Sequence, residues 1–388
     1  MRDSINATTR PGWEYYYWAQ KPPAQLAQWS GRRYATRMFI VGLGTATPPH
    51  RYSQQECWTT LRASARFREF TPRSQAILKK VLTGDNGIAA RHLALEDLNR
   101  VFEVTPDALH ARFLEHAPKL AAQAAERALA DARLTAGEID AILVSTCTGY
   151  LCPGLTSYAS ERLGLRPDVL ALDLVGQGCG AALPNLQTAW SLVASGLSRR
   201  VLCVCVEVCS AAFYLDDDAG VLISACLFGD GAGAAVVAAA PGNARRVEWK
   251  GAGTLLQPAE RDRLRFEQKH GMLRNILTPE VPALAAGYVN AVLNDTLARS
   301  QVPRAAINAW ILHPGGRDVL LALREKLGLS GPEVRWSEGV LREHGNMSSP
   351  SVFFVLQAAL AGSAPGGFWW MSSFGAGFTC HGALLEVE

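Results

Sequence analysis

Three largely apolar, strand-like runs at residues 139–145, 169–175 and 201–206 alternate with stretches of helical periodicity, and this restricts the chain to few folds. A strand that is apolar along its length, rather than at every second position, must be covered on both faces, so the chain reads as an α/β protein whose sheet lies between helical layers. An amphipathic helix over 120–134 precedes the first run, and residues 181–194 form a helix after the second. Between 226 and 240 a Gly-Asp-Gly turn leads into an alanine- and valine-rich strand. A second series then runs from a strand near Arg246 through a helix at 281–300, a strand ending at His313, a helix at 318–327 and strands at 368–373 and 378–386. The two series have similar order without a recognisable repeat in their residues. The turn Pro241-Gly242-Asn243 marks the boundary between them.

Chemistry enters at the elbow Val175-Gly176-Gln177-Gly178-Cys179-Gly180-Ala181, between the strand at 169–174 and the helix that follows. A cysteine at a helix N-terminus lies in the positive end of the dipole, which favours thiolate over thiol. A single cysteine is more often a small packing residue, so the reading needs partners. Two lie downstream. His313 ends a buried strand and is followed by Pro314-Gly315-Gly316, and Asn346 sits in the tight loop Gly345-Asn346-Met347-Ser348-Ser349-Pro350, where Ser349 is a natural N-cap and Pro350 suits the first helical position. Alone, His313 is a core histidine and Asn346 a turn residue. Together, Cys, His and Asn on three elbows make a thiolate–imidazolium pair with an amide donor.

Composition narrows the setting. Nearly half of the 388 residues are hydrophobic, which suits a globular chain of two domains or one large duplicated one. A net charge of +3 with dispersed basic residues gives no argument for nucleic acid. Nine cysteines without metal-type spacing read as reduced thiols of a cytoplasmic protein and give no metal site. No apolar run reaches the roughly 18 residues of a spanning helix. Residues 1–37 differ from the rest: Trp13, Tyr15, Tyr16, Tyr17, Trp18 and Trp29 stand among prolines and charges, and the segment reads as a loosely ordered extension before a first strand at Met38.

The segments Gln177-Gly178-Cys179, Leu227-Phe228-Gly229-Asp230-Gly231-Ala232, His313-Pro314-Gly315-Gly316, Gly345-Asn346-Met347-Ser348-Ser349 and Phe374-Gly375-Ala376-Gly377 occur in the order found in chalcone synthase-like type III polyketide synthases, and from Met38 onward the chain resembles that family. The resemblance implies a thiolase-like fold of two duplicated halves in α-β-α-β-α layers, residues 38–242 carrying Cys179 and 243–388 carrying His313 and Asn346. It implies a homodimeric acyltransferase with acyl-CoA and malonyl-CoA as substrates and no further cofactor. Cys179 would take the acyl group, while His313 and Asn346 would donate hydrogen bonds to the thioester oxygen as malonyl-CoA loses carbon dioxide. Phe228 would stand between the active site and the coenzyme A tunnel. Cys147, Cys209, Ala212 and Ser348 would line the cavity, and Cys152 would lie on the loop that reaches into the partner's cavity. Arg73, Lys79 and Lys80 would face the coenzyme A phosphates.

Some positions depart from the plant pattern. Cys209 and Ala212 stand where threonines are usual, Ala376 replaces a proline, and Arg274 aligns with a second tunnel phenylalanine. These changes point to a bacterial-type enzyme with a roomier, less polar cavity, suited to an aliphatic starter. Three rival readings remain: a ketoacyl synthase III, which shares Cys, His and Asn; a papain-like protease; and a thiolase-fold binding protein without activity.

Overall fold

Nine strands of one sheet carry the architecture of the computed structural model, which describes residues 37–242 and 246–388. In chain order they are β1 (Met38–Ala46), β2 (Ala141–Thr146), β3 (Leu170–Val175), β4 (Arg200–Glu207), β5 (Gly231–Ala238), β6 (Val247–Leu256), β7 (Ile307–Leu312), β8 (Gly367–Gly375) and β9 (Thr379–Val387). The principal helices are α1 (Gln54–Ala63), α2 (Pro72–Thr83), α3 (Pro106–Ala132), α4 (Leu155–Leu163), α5 (Ala182–Ala194), α6 (Ala219–Leu227), α7 (Val281–Ser300), α8 (Arg317–Leu327), α9 (Gly331–His344) and α10 (Ser351–Ala361). The aromatic segment at 1–36 and Asn243 of the boundary turn lie outside the described residues.

Strand pairing carries the duplication that the residues themselves hide. In the sheet order β7-β8-β9-β6-β1-β5-β4-β2-β3, β1 runs antiparallel to β5, β5 antiparallel to β4, and β4 parallel to β2. The other half repeats these senses: β6 is antiparallel to β9, β9 antiparallel to β8, and β8 parallel to β7. The halves join where Met38, Phe39 and Ile40 of β1 pair with Trp249, Glu248 and Val247 of β6.

Alternating side chains along the strands divide the interior into layers. Ile142 and Val144 of β2 pack outward against Ala121, Ala124 and Ala128 of α3, whereas Ala141 and Leu143 turn inward toward Leu183 and Leu186 of α5. In the second half Trp310 and Leu312 of β7 face Val289 and Leu293 of α7, while Ala309 and Ile311 face Phe353 and Leu356 of α10. Helices α5 and α10 therefore form a shared central layer, and α3 with α4 on one side and α7 with α8 on the other complete the five-layer thiolase-like arrangement. Truncating a fully buried side chain of the central layer such as Phe353 is expected to cost about 3–5 kcal/mol.

Two elements depart from the sequence reading. The helix at 120–134 is only the latter part of α3, which starts at an N-cap on Thr105 and runs through a buried Pro118, a residue type that ordinarily interrupts a helix. The run at 169–175 forms a strand, but not a covered one. Among the described residues β3 is the last strand of the sheet and pairs only with β2, leaving Leu170, Leu172 and Val175 exposed. Among the described residues no helix is long and apolar enough to cross a membrane.

Burial holds the imidazoles of His313, His344 and His381 below their ordinary value, at about 3, about 4 and about 4. The unfolded chain protonates its histidines near ~6.5, so below that pH it binds protons that the folded state refuses, and stability declines as pH falls toward about 4. The slope reaches about 1.4 kcal/mol per pH unit for each such histidine. His381→Gln should therefore flatten the fall of Tm between pH 6.5 and 4 relative to the parent protein, measured by calorimetry across that range. Parallel Tm curves would refute the assignment.

Candidate active site

Cys179 lies in a short 3-10 turn, Gly178–Gly180, that carries β3 into α5, so its sulfur sits at the N-terminal end of a 13-residue helix. The elbow is pressed against the end of β8. A Cβ on Gly375 would lie 2.3 Å from the Gln177 carbonyl oxygen, 2.5 Å from the Gly180 nitrogen and 3.1 Å from the Cys179 nitrogen, so no residue but glycine allows this approach. One residue pair earlier, the Ser373 hydroxyl donates to the Gly180 carbonyl at 3.0 Å.

The same strand end holds His313. The His313 amide, just beyond β7, donates to the Ser372 carbonyl at 3.0 Å, and the imidazole meets the Phe374 ring edge-on at 5.2 Å between centroids. The histidine is 1% exposed, and neither ring nitrogen has a partner among the described residues. A buried imidazole with both nitrogens unsatisfied is costly in a core unless a ligand supplies the missing partner.

Asn346 follows α9 and is bonded to the turn after His313: its Nδ2 donates to the Gly315 carbonyl at 3.1 Å, and its Oδ1 accepts the Ser348 amide at 2.8 Å. This fixes the carboxamide and leaves one Nδ2 proton to donate. Ser348, held at a φ of 60°, turns its hydroxyl to 3.5 Å from the Cys147 sulfur and hydrogen-bonds the Cys179 thiol. The expectation for Ser349 fails. Pro350 occupies the N-cap of α10, and the Ser349 hydroxyl donates instead to Glu207 Oε1 at 2.6 Å.

Burial pushes the Cys179 thiol up to about 12 and the His313 imidazole down to about 3. For Cys179 the Ser348 hydrogen bond opposes this rise and the Glu207 carboxylate adds to it. Neither charge is favourable alone in this interior. Either charge would need an opposite charge close by, and the α5 N-terminus would support an anion at Cys179.

Cys147, Cys209, Ala212, Phe228 and Ser348 line one largely apolar cavity with Cys179. His313 and Asn346 are nearly closed off, beside Phe374 and Ser348. Cys152 is exposed and lies away from this lining, and Arg73, Lys79 and Lys80 occupy the solvent side of α2. Arg274 does not act as a cavity aromatic. It pairs with Asp216 at 2.9 Å, Glu267 at 2.9 Å and Asp218 at 3.2 Å, and the wall is formed by Phe266 and Asn275, which face each other across the ribbon of Leu264–Lys269 and Met272–Leu277.

The sequence reading also missed Glu207, fully buried at the end of β4. Its carboxylate accepts from the Cys147 amide (3.0 Å), the Cys147 thiol (3.3 Å), the Thr148 hydroxyl (2.9 Å), the Thr146 hydroxyl (3.2 Å) and Ser349 (2.6 Å), tying both cavity walls together. Burial raises its pKa against these bonds. A carboxylate closing an apolar strand was the available signal, since such a group is seldom buried without a dedicated set of donors.

Residues 29–241 match the family model described as chalcone and stilbene synthases, N-terminal domain, and residues 260–387 match the corresponding C-terminal domain. A 3,5-dihydroxyphenylacetyl-CoA synthase of Streptomyces toyocaensis is 30% identical over 90% of this chain and 90% of its own. An alpha-pyrone synthesis polyketide synthase-like protein of Mycobacterium tuberculosis is 29% identical over 95% of this chain and 94% of its own. A 1,3,6,8-tetrahydroxynaphthalene synthase of Streptomyces peucetius is 30% identical over 89% and 92%. Among solved structures, PKS-I of the brown alga Ectocarpus siliculosus superposes with a TM-score of 0.82 at 26% identity, over 90% of this chain and 98% of that one.

Gly375→Ala should push the elbow from its seat, lowering stability by about 1–3 kcal/mol. It should also slow iodoacetamide alkylation of Cys179. An unchanged Tm together with unchanged alkylation would show that the elbow does not depend on this contact.

Proposed function

The chain belongs to the chalcone and stilbene synthase family and is a type III polyketide synthase; we propose that Cys179, His313 and Asn346 carry its reaction and that its starter is a medium or long fatty acyl-CoA. Family membership sets aside the ketoacyl synthase III and papain-like readings. The observation that carries the residue assignment is the buried, unpartnered imidazole of His313, set beside a fixed carboxamide and joined through β8 to the elbow of a helix-terminal cysteine.

In loading, the Cys179 sulfur attacks the starter thioester carbonyl, the carbon–sulfur bond to coenzyme A breaks, and the leaving thiolate takes a proton from the His313 imidazolium. In extension, malonyl-CoA loses carbon dioxide and the electron pair of the broken bond becomes an enolate, whose oxygen accepts hydrogen bonds from His313 and the free Nδ2 proton of Asn346. The enolate carbon attacks the Cys179 ester, forming the new carbon–carbon bond and returning the thiolate. An apolar wall at Phe228 excludes water from both steps. Repeated extension and cyclisation release a polyketide of the alkylresorcinol or alkylpyrone kind, the thiol of Cys209 and the methyl of Ala212 giving a cavity suited to an alkyl chain.

The exposed β3 edge, with Leu170, Leu172 and Val175, supports a homodimer that covers it and brings Cys152 toward the partner, and the reduced cysteines support a cytoplasmic setting. Arg73, Lys79 and Lys80, exposed on the solvent side of α2, would take the coenzyme A phosphates.

Cys179→Ala is expected to abolish acyl loading yet retain malonyl-CoA decarboxylation, whereas His313→Ala or Asn346→Ala should slow decarboxylation by roughly 100- to 1,000-fold, the effect of one lost oxyanion donor. Equal decarboxylation in all three variants contradicts the division of roles. Mass spectrometry of products from malonyl-CoA with aliphatic and aromatic acyl-CoAs tests the starter, and exclusive use of aromatic starters overturns the fatty acyl proposal. Sedimentation at the monomer mass would overturn the dimer.

A further inference from the structure

Arg91 is 3% exposed, and none of its described partners is a carboxylate. Its Nη1 donates to the Ala225 carbonyl at 2.7 Å and to the Phe228 carbonyl at 2.8 Å, its Nε donates to Gln54 Oε1 at 3.1 Å, and its Nη2 lies 3.4 Å from the Cys57 sulfur. The guanidinium thus sits on the C-terminal end of α6, where the negative end of the helix dipole stands in for a counterion.

A helix end leaves its last carbonyls without partners inside the helix. Here all four from Ala225 to Phe228 are met by groups from elsewhere in the fold. Arg91 takes Ala225 and Phe228, the Gln54 side chain donates to Cys226 at 3.0 Å, and the backbone amide of Asn346 donates to Leu227 at 2.9 Å. The Gly229 amide in turn donates to the Asn346 carbonyl at 3.0 Å, so the two segments form a bridge. Gly345 allows it: at φ +69°, an added Cβ would lie 2.6 Å from the Leu227 carbonyl oxygen and 2.9 Å from Arg91 Cγ. One buried cation therefore supports the cavity aromatic Phe228 and the backbone of the oxyanion donor Asn346 together.

We propose that Arg91 is a positioning residue for decarboxylation: by clamping the end of α6 it fixes the bridged segments of Phe228, which lines the cavity, and Asn346 relative to each other. It lies outside the cavity lining, and none of its described partners belongs to the Cys179 elbow. The clamp rests on the decarboxylation reading above for its consequence, but not for its geometry.

The test compares R91Q and R91K with the parent enzyme. In R91Q, malonyl-CoA decarboxylation should fall by about tenfold or more while alkylation of Cys179 stays within about twofold, since the elbow has other supports. The KM for malonyl-CoA should rise. Amide hydrogen exchange should quicken in peptides spanning 219–230 and 343–349 and stay unchanged in 170–194. R91K keeps the charge but cannot span two carbonyls in the same plane, so it should show a smaller loss with the same exchange pattern, and it carries the test if R91Q does not fold. Decarboxylation and exchange at parental levels in R91K and any folded R91Q would overturn the clamp, as would equal losses of alkylation and decarboxylation. A parent enzyme that never decarboxylates malonyl-CoA would remove the functional reading instead, and the exchange pattern would still decide the clamp.

Discussion

The close approach of two backbone segments, Gln177–Gly180 and Phe374–Gly375, is the contact on which the candidate active site depends. It brings an elbow of the first half onto the end of a strand of the second, and the four consecutive residues Ser372–Gly375 then serve both candidate groups: Ser372 and Phe374 hold His313, while Ser373 and Gly375 seat the Cys179 turn. A Cβ at Gly375 would separate them, so the geometry of the nucleophile rests on a side chain that is not there. The two halves contribute through the same device, a strand running into a helix, which is what their shared strand order makes available.

Burial gives the site its chemical character. Excluding water makes a lone thiolate and a lone imidazolium each unfavourable, and it strengthens every hydrogen bond to charge that develops during a reaction. Most polar side chains near Cys179 are consequently engaged by one another. Ser348 hydrogen-bonds two thiols, Asn346 is fixed through both ends of its carboxamide, and Glu207 gathers donors from both walls. Among the described residues His313 leaves both ring nitrogens open, as Asn275 in the cavity wall leaves its Oδ1 and Ser372 its hydroxyl.

Similar reasoning applies behind the cavity. Asp230, fully buried, accepts from the Ala94 amide at 2.6 Å and from the Ser210 amide and hydroxyl at 2.8 and 2.6 Å, pinning the turn that presents Cys209 and Ala212. Arg91 closes the end of α6 by bonding carbonyls rather than a carboxylate. Each uses a charge as a multi-point fastener where the backbone leaves several groups unpaired at once, which a neutral side chain with fewer donors or acceptors could not do.

The elbows were legible in the residues because local chemistry dictates them. Glycines around Cys179, Pro-Gly-Gly after His313 and the loop before α10 announce where strands stop and helices begin, and α7 at Val281–Ser300 follows its apolar period to both ends. The alternation of continuously apolar strands with helical stretches likewise determined the α/β class. Tertiary structure alone decided what depends on neighbours distant in sequence: that β3 is an uncovered edge, that Ser349 serves Glu207 rather than a helix cap, that Arg274 turns into acids while Phe266 and Asn275 face the cavity, and that Glu207 and Arg91 join separate walls. A residue's spacing specifies the face of its own element, but which carbonyl or carboxylate that face meets is set by packing between elements far apart in the chain.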